Sequence, residues 1–289
     1  MNDTATQFEI SEKGFWLQVY DDPFNKRTRI DDYFGNTTLI IDFAEEWVKQ
    51  KKREKLIFKV RKEQFSEFIQ HGFTCEALID HYYLGSDAYF FTKYYEVDRL
   101  KNDHWLTEDQ TIQSIQGLKI SSETLNPPIE FHLKKVEESD VIKLSELYQT
   151  VFQIYPTPLH DPEYIKKTLK EGTIYYSFYW NDQIVSAASA EVNRTYRNAE
   201  LTDCATLNEH RKHGLMKILL KKLENELYDQ GIYCSYSIAR SLSFGMNAVL
   251  HQLGYVYRGR LKNNVFIFDK LENMNVWVKN LANEPNFRQ

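Results

Sequence analysis

The sequence predicts an α/β (α+β) fold, in which a β-sheet is flanked by helices and a smaller α/β domain precedes the main one. After residue 129, apolar strand patterns and amphipathic helix patterns follow one another in the order β-α-α-β-β-β-α-β-α-β-β. Asn181-Asp182 joins two strand patterns as a tight hairpin turn. A polar, proline-containing break at residues 118–128 separates two domains, which we place at 1–122 and 123–289.

The elements of the second domain follow from the spacing of their apolar residues. Extended apolar segments predict strands at 129–136, 173–180, 183–193, 199–207, 233–239, 255–261 and 263–268. Apolar residues at helical spacing, such as Val141, Leu144, Leu147 and Val151 in the first case, predict helices at 138–152, 162–170, 214–229 and 244–253.

The first domain has a shorter α/β pattern, with a strand at 37–43, a helix at 44–53, a strand at 55–60 and a helix at 61–70. Segment 71–95 then resembles 253–270, since each has a Gly-aromatic pair at a helix end, followed by a strand, a turn and a strand. Residues 37–94 are therefore interpreted as a repeat of the later half of the second domain. Two unrelated small α/β units are the alternative.

Composition limits the classes of function. With 42% hydrophobic and 27% charged residues, the 289-residue chain has a globular composition, and its net charge of −5 argues against nucleic-acid binding. The three cysteines lack metal or redox spacing, which favours free thiols in a reducing compartment. No segment approaches the about 18 apolar residues of a membrane-spanning helix, and the first ten residues lack the features of a secretory signal. We therefore expect a cytoplasmic protein without nucleic-acid or membrane partners.

Segment 203–227 carries the most informative chemistry. An apolar strand runs into the turn Arg211-Lys212-His213-Gly214-Leu215-Met216 and then into an amphipathic helix. A helix N-terminus offers unpaired N–H groups and a positive dipole end, Gly214 lets the backbone approach a ligand closely, and Arg211 adds a charge suited to phosphate. The turn therefore predicts a pyrophosphate site, with an ordinary strand-to-helix turn as the alternative. Neither G-x-G-x-x-G nor G-x-x-x-x-G-K-S/T occurs, which argues against the dinucleotide and P-loop folds.

The strand, the motif Arg-x-x-Gly-x-(Gly/Ala), the helix and the later Leu253-Gly254-Tyr255 resemble the GNAT superfamily of acetyl-CoA-dependent N-acetyltransferases over residues 129–270. The segments LTDCATLNEHRKHGLM, ARSLSFGMNAVLHQLGYVYRGRLKNN and LENMNVWVK resemble, more closely, the β-lysine N6-acetyltransferase family. The resemblance implies a mixed, mostly antiparallel, twisted GNAT-type sheet, preceded here by a degenerate half-GNAT domain. It also implies acetyl-CoA as cosubstrate and a small-molecule amine as acceptor, and a homodimer is compatible with it.

The activity that the resemblance implies is acetyl transfer to the ε-amino group of L-β-lysine (3,6-diaminohexanoate) within a ternary complex. The product would be Nε-acetyl-β-lysine, a compatible solute. Lysine, a polyamine or a protein amine is the alternative acceptor. A non-catalytic acyl-CoA-binding module is the alternative from another class, because the tyrosine that many members use as general acid is replaced by Leu250.

The resemblance also implies the cofactor contacts. The main chain at Thr206 and Leu207 would pair with the pantetheine arm, and Arg211 and the amides of Lys212, His213, Gly214, Leu215 and Met216 would receive the pyrophosphate. Met216 stands where the family has a second small residue. Asn247 is a further candidate for the cofactor or its thiolate, and an exposed polar helix residue is the alternative.

An ammonium acceptor must lose a proton before its nitrogen attacks a thioester, and a carboxylate is a suitable base. Glu200 is the candidate, at a spacing that resembles the base glutamate of some histone acetyltransferases. Asp203 is the competing base, or a ligand of the acceptor's ammonium groups. For both, the alternative is a hydrogen-bonded polar residue at a strand edge.

The acceptor's carboxylate needs a fork or amide donor, and Arg240, Asn263 and Asn264 are the candidates. His210 and His213 share an i,i+3 spacing, but no carboxylate or cysteine completes a ligand set, so no metal is expected. The first domain has no Arg-x-x-Gly-x-Gly turn. We expect it to pack against the second domain or to shape the substrate pocket, without binding coenzyme A.

Overall fold

One continuous β-sheet runs through both halves of the chain. The computed structural model describes residues 5–120, 126–152, 157–267 and 270–283, and residues 121–125 of the predicted break at 118–128 lie outside these ranges. Within the described ranges, no helix is long and apolar enough to cross a membrane.

The first half consists of a three-stranded meander followed by helices and strands in alternation. Its elements are β1 (Thr6–Glu12), β2 (Phe15–Asp22), β3 (Arg27–Gly35), α1 (Thr37–Gln50), β4 (Lys55–Arg61), α2 (Phe65–Gln70), β5 (Thr74–Tyr83), β6 (Ser86–Tyr94) and α3 (Trp105–Gln116). Short 3-10 turns lie at Lys62–Gln64 and Val97–Leu100.

The second half has the predicted order of strands and helices. Its elements are β7 (Phe131–Lys135), α4 (Val141–Val151), α5 (Pro162–Glu171), β8 (Ile174–Trp180), β9 (Gln183–Asn193), β10 (Asn198–Thr206), α6 (Leu215–Asp229), β11 (Cys234–Arg240), α7 (Phe244–Gln252), β12 (Val256–Ile267) and β13 (Lys270–Asn280). Three 3-10 turns lie at Glu138–Asp140, Asn208–His210 and Leu281–Asn283. The hairpin predicted at Asn181-Asp182 is confirmed, since Trp180 pairs with Gln183.

The described strands are ordered β1-β2-β3-β4-β6-β5-β12-β13-β11-β10-β9-β8-β7. Neighbours are antiparallel except for β3 with β4 and β10 with β11, so the predicted mixed, mostly antiparallel sheet is confirmed. The series β1-β2-β3-α1-β4-α2-β5-β6 has the same element order as β8-β9-β10-α6-β11-α7-β12-β13, and the two series pair their strands in mirrored order. The repeat of secondary structure therefore extends back to β1.

The strand predicted at 37–43 is wrong, because these residues begin α1. Asn36 caps this helix by accepting a hydrogen bond from the Leu39 N–H, and Ile40, Ile41, Ala44 and Val48 form its buried face. Tertiary packing of that face outweighs the strand preference of the β-branched run. The strand that takes the equivalent place in the repeat is β3.

The strands predicted at 255–261 and 263–268 are also wrong as separate elements. Residues 256–267 form the single strand β12, residue 268 lies outside the described ranges, and the hairpin partner is β13. Asn263 has a left-handed φ of 42°, and the β12–β13 register shifts between Leu261 and Val265. A break in the apolar pattern therefore marks an irregularity within one strand.

The halves meet where β5 pairs with β12. Gly259 faces Ala77 there at a φ of +123°, and a Cβ on Gly259 would lie 2.4 Å from the Glu76 carbonyl oxygen. Only glycine permits this approach. Behind the junction, Lys55 is fully buried and donates hydrogen bonds to Glu76 at 2.9 Å and to the Lys262 carbonyl at 2.7 Å.

Each half also reaches across to the other with the turn of a hairpin. Tyr196, between β9 and β10, donates a hydrogen bond to Asp32 of β3 at 2.5 Å. Asn25, in the equivalent turn between β2 and β3, accepts a hydrogen bond from the Phe266 N–H of β12 at 2.6 Å. These crossed turns bring β2 and β3 of the first half close to β9 and β10 of the second.

Candidate active site

The centre of the site is a gap between the parallel strands β10 and β11. They pair from Asn198–Cys234 to Glu200–Tyr236 and no further, so the later parts of both strands diverge. A cavity of about 1370 Å³ occupies the gap and extends between the two halves. One edge of β10, from Leu201 onward, therefore faces the cavity instead of a neighbouring strand.

A bulge shapes this part of β10. Its register with β9 shifts between Thr202 and Ala205, and Asp203 has a left-handed φ of 52°. The Asp203 side chain is buried and accepts a hydrogen bond from the Ser189 hydroxyl at 2.7 Å. Thr206 lines the cavity, whereas Leu207 is buried away from it and donates its N–H to the Val185 carbonyl.

The N-terminus of α6 opens on the same cavity. Gly214 caps it at a φ of 72° without a side-chain hydrogen bond, so no side chain satisfies the first N–H groups of the helix. Arg211, Lys212, Gly214, Leu215 and Met216 all line the cavity. These residues of the predicted turn therefore face one cavity at the N-terminus of α6.

His213 is the exception in this turn. Its ring packs on Phe131, with centroids 5.3 Å apart, and does not line the cavity. His210 contacts the other side of the same cluster, 5.7 Å from Phe131 and 5.0 Å from Trp180. These aromatic contacts account for the histidine pair, and the residues that the structure describes contain no group of three metal-ligating side chains.

Three carboxylates from β9 and β10 lie on the same part of the cavity wall. Glu200 of β10 pairs directly with Glu191 of β9, and Asp203 follows on β10. Burial, together with the charge of Asp203, raises the pKa of Glu200 above its ordinary value, although Arg29 and Lys59 oppose the shift. Glu191 is exposed to the cavity, and its partial removal from bulk water together with the charges of Asp203 and Glu200 raises its pKa as well. Burial is the largest cause of both shifts, and repulsion from the neighbouring carboxylates acts in the same direction.

The opposite wall comes from the first half of the chain, and sequence reasoning did not identify its residues. We call Tyr20, Arg29, Asp31 and Lys59 the first-half wall. Arg29 donates hydrogen bonds to both carboxylate oxygens of Asp31, at 2.6 and 3.0 Å, and Lys59 contacts Asp31 at 2.9 Å. The expectation that the first half shapes the pocket agrees with this placement.

Among the predicted donors for the acceptor's carboxylate, Asn264 has the most favourable position. It lines the cavity, is 5% exposed, and its Oδ1 atom has no hydrogen-bond partner among the described residues. Arg240 also lines the cavity, but Glu272 accepts two of its hydrogen bonds, both at 2.7 Å. Asn263 lies elsewhere, with its amide donating to the carbonyls of Arg99 and Lys101.

Asn247 is fully buried and does not line the cavity. Its amide donates to the carbonyls of Arg240 and Ser243, and its oxygen accepts from Asn275 and Trp277. All four hydrogen-bonding positions are used, so none is left for a cofactor. We therefore correct the prediction and assign Asn247 a structural role.

The usual general-acid position is occupied by Leu250, which has no hydroxyl group and is completely buried. Tyr255 is buried as well, with its hydroxyl 2.7 Å from that of Ser235. Tyr236 lines the cavity and donates a hydrogen bond to Glu200. Burial raises the pKa of Tyr236 well above its ordinary value, so its phenol keeps its proton.

Two parallel strands that part beside an open helix N-terminus agree with the GNAT-type fold that the sequence resemblance implies. In agreement, residues 132–257 match the family model described as an acetyltransferase (GNAT) domain. The chain is 38% identical to N-acetyltransferase YodP of Bacillus subtilis over 94% of this chain and 98% of that protein.

Two archaeal proteins named β-lysine N6-acetyltransferase are also similar. The protein from Methanococcus maripaludis is 35% identical over 91% of this chain and 95% of its own length. The protein from Methanosarcina mazei is 32% identical over 86% of this chain and all of its own length. The chain belongs to the GNAT acetyltransferase family, and it is an acetyl-CoA-dependent N-acetyltransferase that acts on an amine.

The geometry fits acetyl-CoA, which supplies the activated acetyl group. The N–H groups at the start of α6 lack a side-chain cap, and the free edge of β10 leads from them to Glu200. The equivalent helix of the first half differs, because the side chain of Asn36 already caps α1. This contrast supports the expectation that only the second half holds the cofactor.

Proposed function

We propose that the enzyme acetylates the ε-amino group of L-β-lysine and releases Nε-acetyl-β-lysine, by direct transfer within a ternary complex. The names of two relatives, at 35% and 32% identity over nearly their whole lengths, support this acceptor. The observation that carries the proposal is the opposition of three carboxylates to the positive groups of the first-half wall. An acceptor with two ammonium groups and one carboxylate complements such a cavity.

Glu200 is the proposed base in this reaction. It lies beside the free edge of β10, and its raised pKa places it closer to neutrality, where a base both exists as carboxylate and accepts a proton effectively. Asp203, and Glu191 when it is ionised, add negative charge that attracts the acceptor's ammonium groups. The hydrogen bond from Tyr236 fixes the orientation of the Glu200 carboxylate.

The proposed cofactor contacts follow the wall of the cavity. The main chain of Thr206 would meet the pantetheine arm, and the turn from Arg211 to Met216 would hold the pyrophosphate through its amides and the Arg211 charge. Asn264 is the proposed additional contact to an ammonium group of the acceptor, because its Oδ1 atom, which only accepts hydrogen bonds, is buried and has no partner among the described residues.

The proposal is tested by incubating the purified protein with acetyl-CoA and equal concentrations of L-β-lysine, L-lysine, cadaverine and spermidine. We expect the highest kcat/KM, measured as release of the coenzyme A thiol, with L-β-lysine. Mass spectrometric fragmentation should place the acetyl group on the ε-nitrogen. Thiol release with another amine but not above background with L-β-lysine would reject this acceptor and leave the N-acetyltransferase class intact.

A further inference from the structure

The first-half wall holds a cationic side chain at the position where the second half holds its proposed base. In the second half, Glu200 of β10 pairs with Glu191 of β9 and, in parallel, with Tyr236 of β11. In the first half, Arg29 of β3 pairs in the same way with Tyr20 of β2 and Ile57 of β4. The repeat therefore puts Arg29 where Glu200 stands and Tyr20 where Glu191 stands.

The two equivalent positions face the same cavity, since all four side chains line it. Arg29 is close enough to Glu200 to oppose the rise in the pKa of that carboxyl. An arginine with no function in binding would be expected to pair with this carboxylate directly. Instead, Asp31 accepts hydrogen bonds from Nε and Nη2 of Arg29 and fixes the orientation of its guanidinium.

One edge of the guanidinium remains for a ligand. The Arg29 side chain is 23% exposed, and its Cζ atom lies 4.8 Å from the centroid of the Tyr20 ring. None of the described residues accepts a hydrogen bond from its Nη1 atom. Lys59 contributes a second positive charge, held between Asp31 at 2.9 Å and the Tyr82 hydroxyl at 3.1 Å. With two cations and one carboxylate, the charged groups of the first-half wall sum to a net positive charge.

We infer that Arg29, positioned by Asp31 and supported by the charge of Lys59, binds the carboxylate of the acceptor. The enzyme thereby selects amino acids with a distal amine over diamines that lack a carboxylate. An arginine fork matches carboxylate geometry, and its charge strengthens the hydrogen bonds in a cavity shielded from bulk water. This inference names the recognition element for the substrate class of the proposed function and rests on that function.

The test compares acceptors that differ only in the carboxylate. The quantity to measure is the ratio of kcat/KM for L-β-lysine to kcat/KM for L-β-lysine carboxamide, on the same enzyme preparation. Loss of folded protein lowers both rates equally and leaves this ratio unchanged. We expect a large ratio for the wild type and a decrease of about 100-fold in Arg29→Met, mainly through KM for the acid. Arg29→Lys, which keeps the charge and loses the fork, should lie between them.

Arg53→Met is the matched control. Arg53 lies in the same half and makes the same two-hydrogen-bond contact with an aspartate, Asp21, at 2.9 and 2.7 Å, but it does not line the cavity. Its acid-to-amide ratio should equal that of the wild type. An acid-to-amide ratio in Arg29→Met equal to that of the wild type would overturn the inference, whether or not both rates fall.

A wild-type ratio near one would overturn it as well. Failure of the proposed function gives a different pattern, in which the wild type does not acetylate L-β-lysine. In that case, the same ratio of kcat/KM is measured for L-lysine and for cadaverine, which lacks the carboxylate. A preference for L-lysine that Arg29→Met abolishes would sustain the inference without the proposed acceptor, and turnover of neither pair would overturn both.

Discussion

Glu200→Gln tests whether the reaction depends on a proton acceptor at the gap between β10 and β11. The substitution keeps the shape of the side chain and its capacity to accept the hydrogen bond from Tyr236, but it removes the basic carboxylate. A positioned general base contributes about 10²- to 10⁴-fold to a rate. Because Glu191 is the direct cross-strand partner of Glu200 and is also negatively charged when ionised, it provides a second base on the same wall.

We therefore expect kcat of Glu200→Gln to be about 100-fold lower than that of the wild type, at the lower end of this range. The double variant Glu191→Gln/Glu200→Gln should be about tenfold slower again. The pH dependence gives an independent magnitude. The active form of the base is deprotonated, and the pKa of Glu200 is raised, so kcat/KM of the wild type should increase with pH through a value above the ordinary 4.5. Asp203 is one cause of that shift, so Asp203→Asn should move this limb of the profile to lower pH.

The assay is thiol release at saturating acetyl-CoA over a series of pH values, with Glu226→Gln as the control. Glu226 lies in the same half and forms an ion pair with Lys135 at 2.8 Å, and it does not line the cavity. A Glu200→Gln rate within threefold of the wild type, or an acid limb that Asp203→Asn moves to higher pH, would refute the assignment of the base.

Three further predictions concern the helix N-terminus, the buried asparagine and the carboxylate pair. Gly214→Ala should raise KM for acetyl-CoA about tenfold, because the left-handed φ of 72° costs an alanine about 1–2 kcal/mol and disturbs the turn; Gly72→Ala, at a φ of +79° in open space, controls for the strain alone. Asn247→Ala should lower the free energy of unfolding in urea by about 3 kcal/mol without raising that KM, since it leaves buried donors of Asn275 and Trp277 unpaired; a selective rise in KM would restore a cofactor role. Glu191→Gln should raise the melting temperature at pH 9 and not at pH 4. The raised pKa of Glu191 means that the stability present below the ordinary value of 4.5 is lost as the pH rises through the folded-state pKa, and the glutamine avoids this loss. Equal melting temperatures of the variant and the wild type at pH 9 would contradict the repulsion on this wall.

The order of elements in the second half was predictable because each element carries its own periodicity. Where two local signals conflicted, the prediction failed. The β-branched residues before Phe43 favoured a strand, whereas the helical signal came from the Asn36 cap and from a buried face that only packing against β2, β3 and β4 reveals. At Asn263 a left-handed residue interrupted the apolar pattern, and nothing local showed that pairing with β13 continues on both sides.

The parts of the site that sequence could predict are those that lie in one stretch of chain. Gly214 and Arg211 are separated by two residues from each other and by a short connection from Glu200, so their proximity follows from local structure. The first-half wall lies near Glu200 because of long-range contacts between the halves, such as the crossed hairpin turns and the β5–β12 junction. A signal was present in β3, where Arg27, Arg29 and Asp31 place charges at alternate positions and thus on a single face of a strand. Charged side chains on one face of a central strand need a polar environment, and here they line the cavity.

The repeat also explains why the two halves differ where they do. In each half a helix connects two parallel strands, yet α6 begins without a side-chain cap whereas Asn36 caps α1. In the second half, β10 also parts from β11 beside a carboxylate pair. At the equivalent strand positions the first half has Tyr20 and Arg29. Neither side chain is a carboxylate that could act as the base, but both can donate hydrogen bonds to an anion. If the first half also had glutamates at these two positions, two more carboxylates would face the cavity, and mutual repulsion would raise each pKa further. Instead, the positive charges of Arg29 and Lys59 oppose the rise in the pKa of Glu200. In the proposed complex the same two side chains face the acceptor's carboxylate.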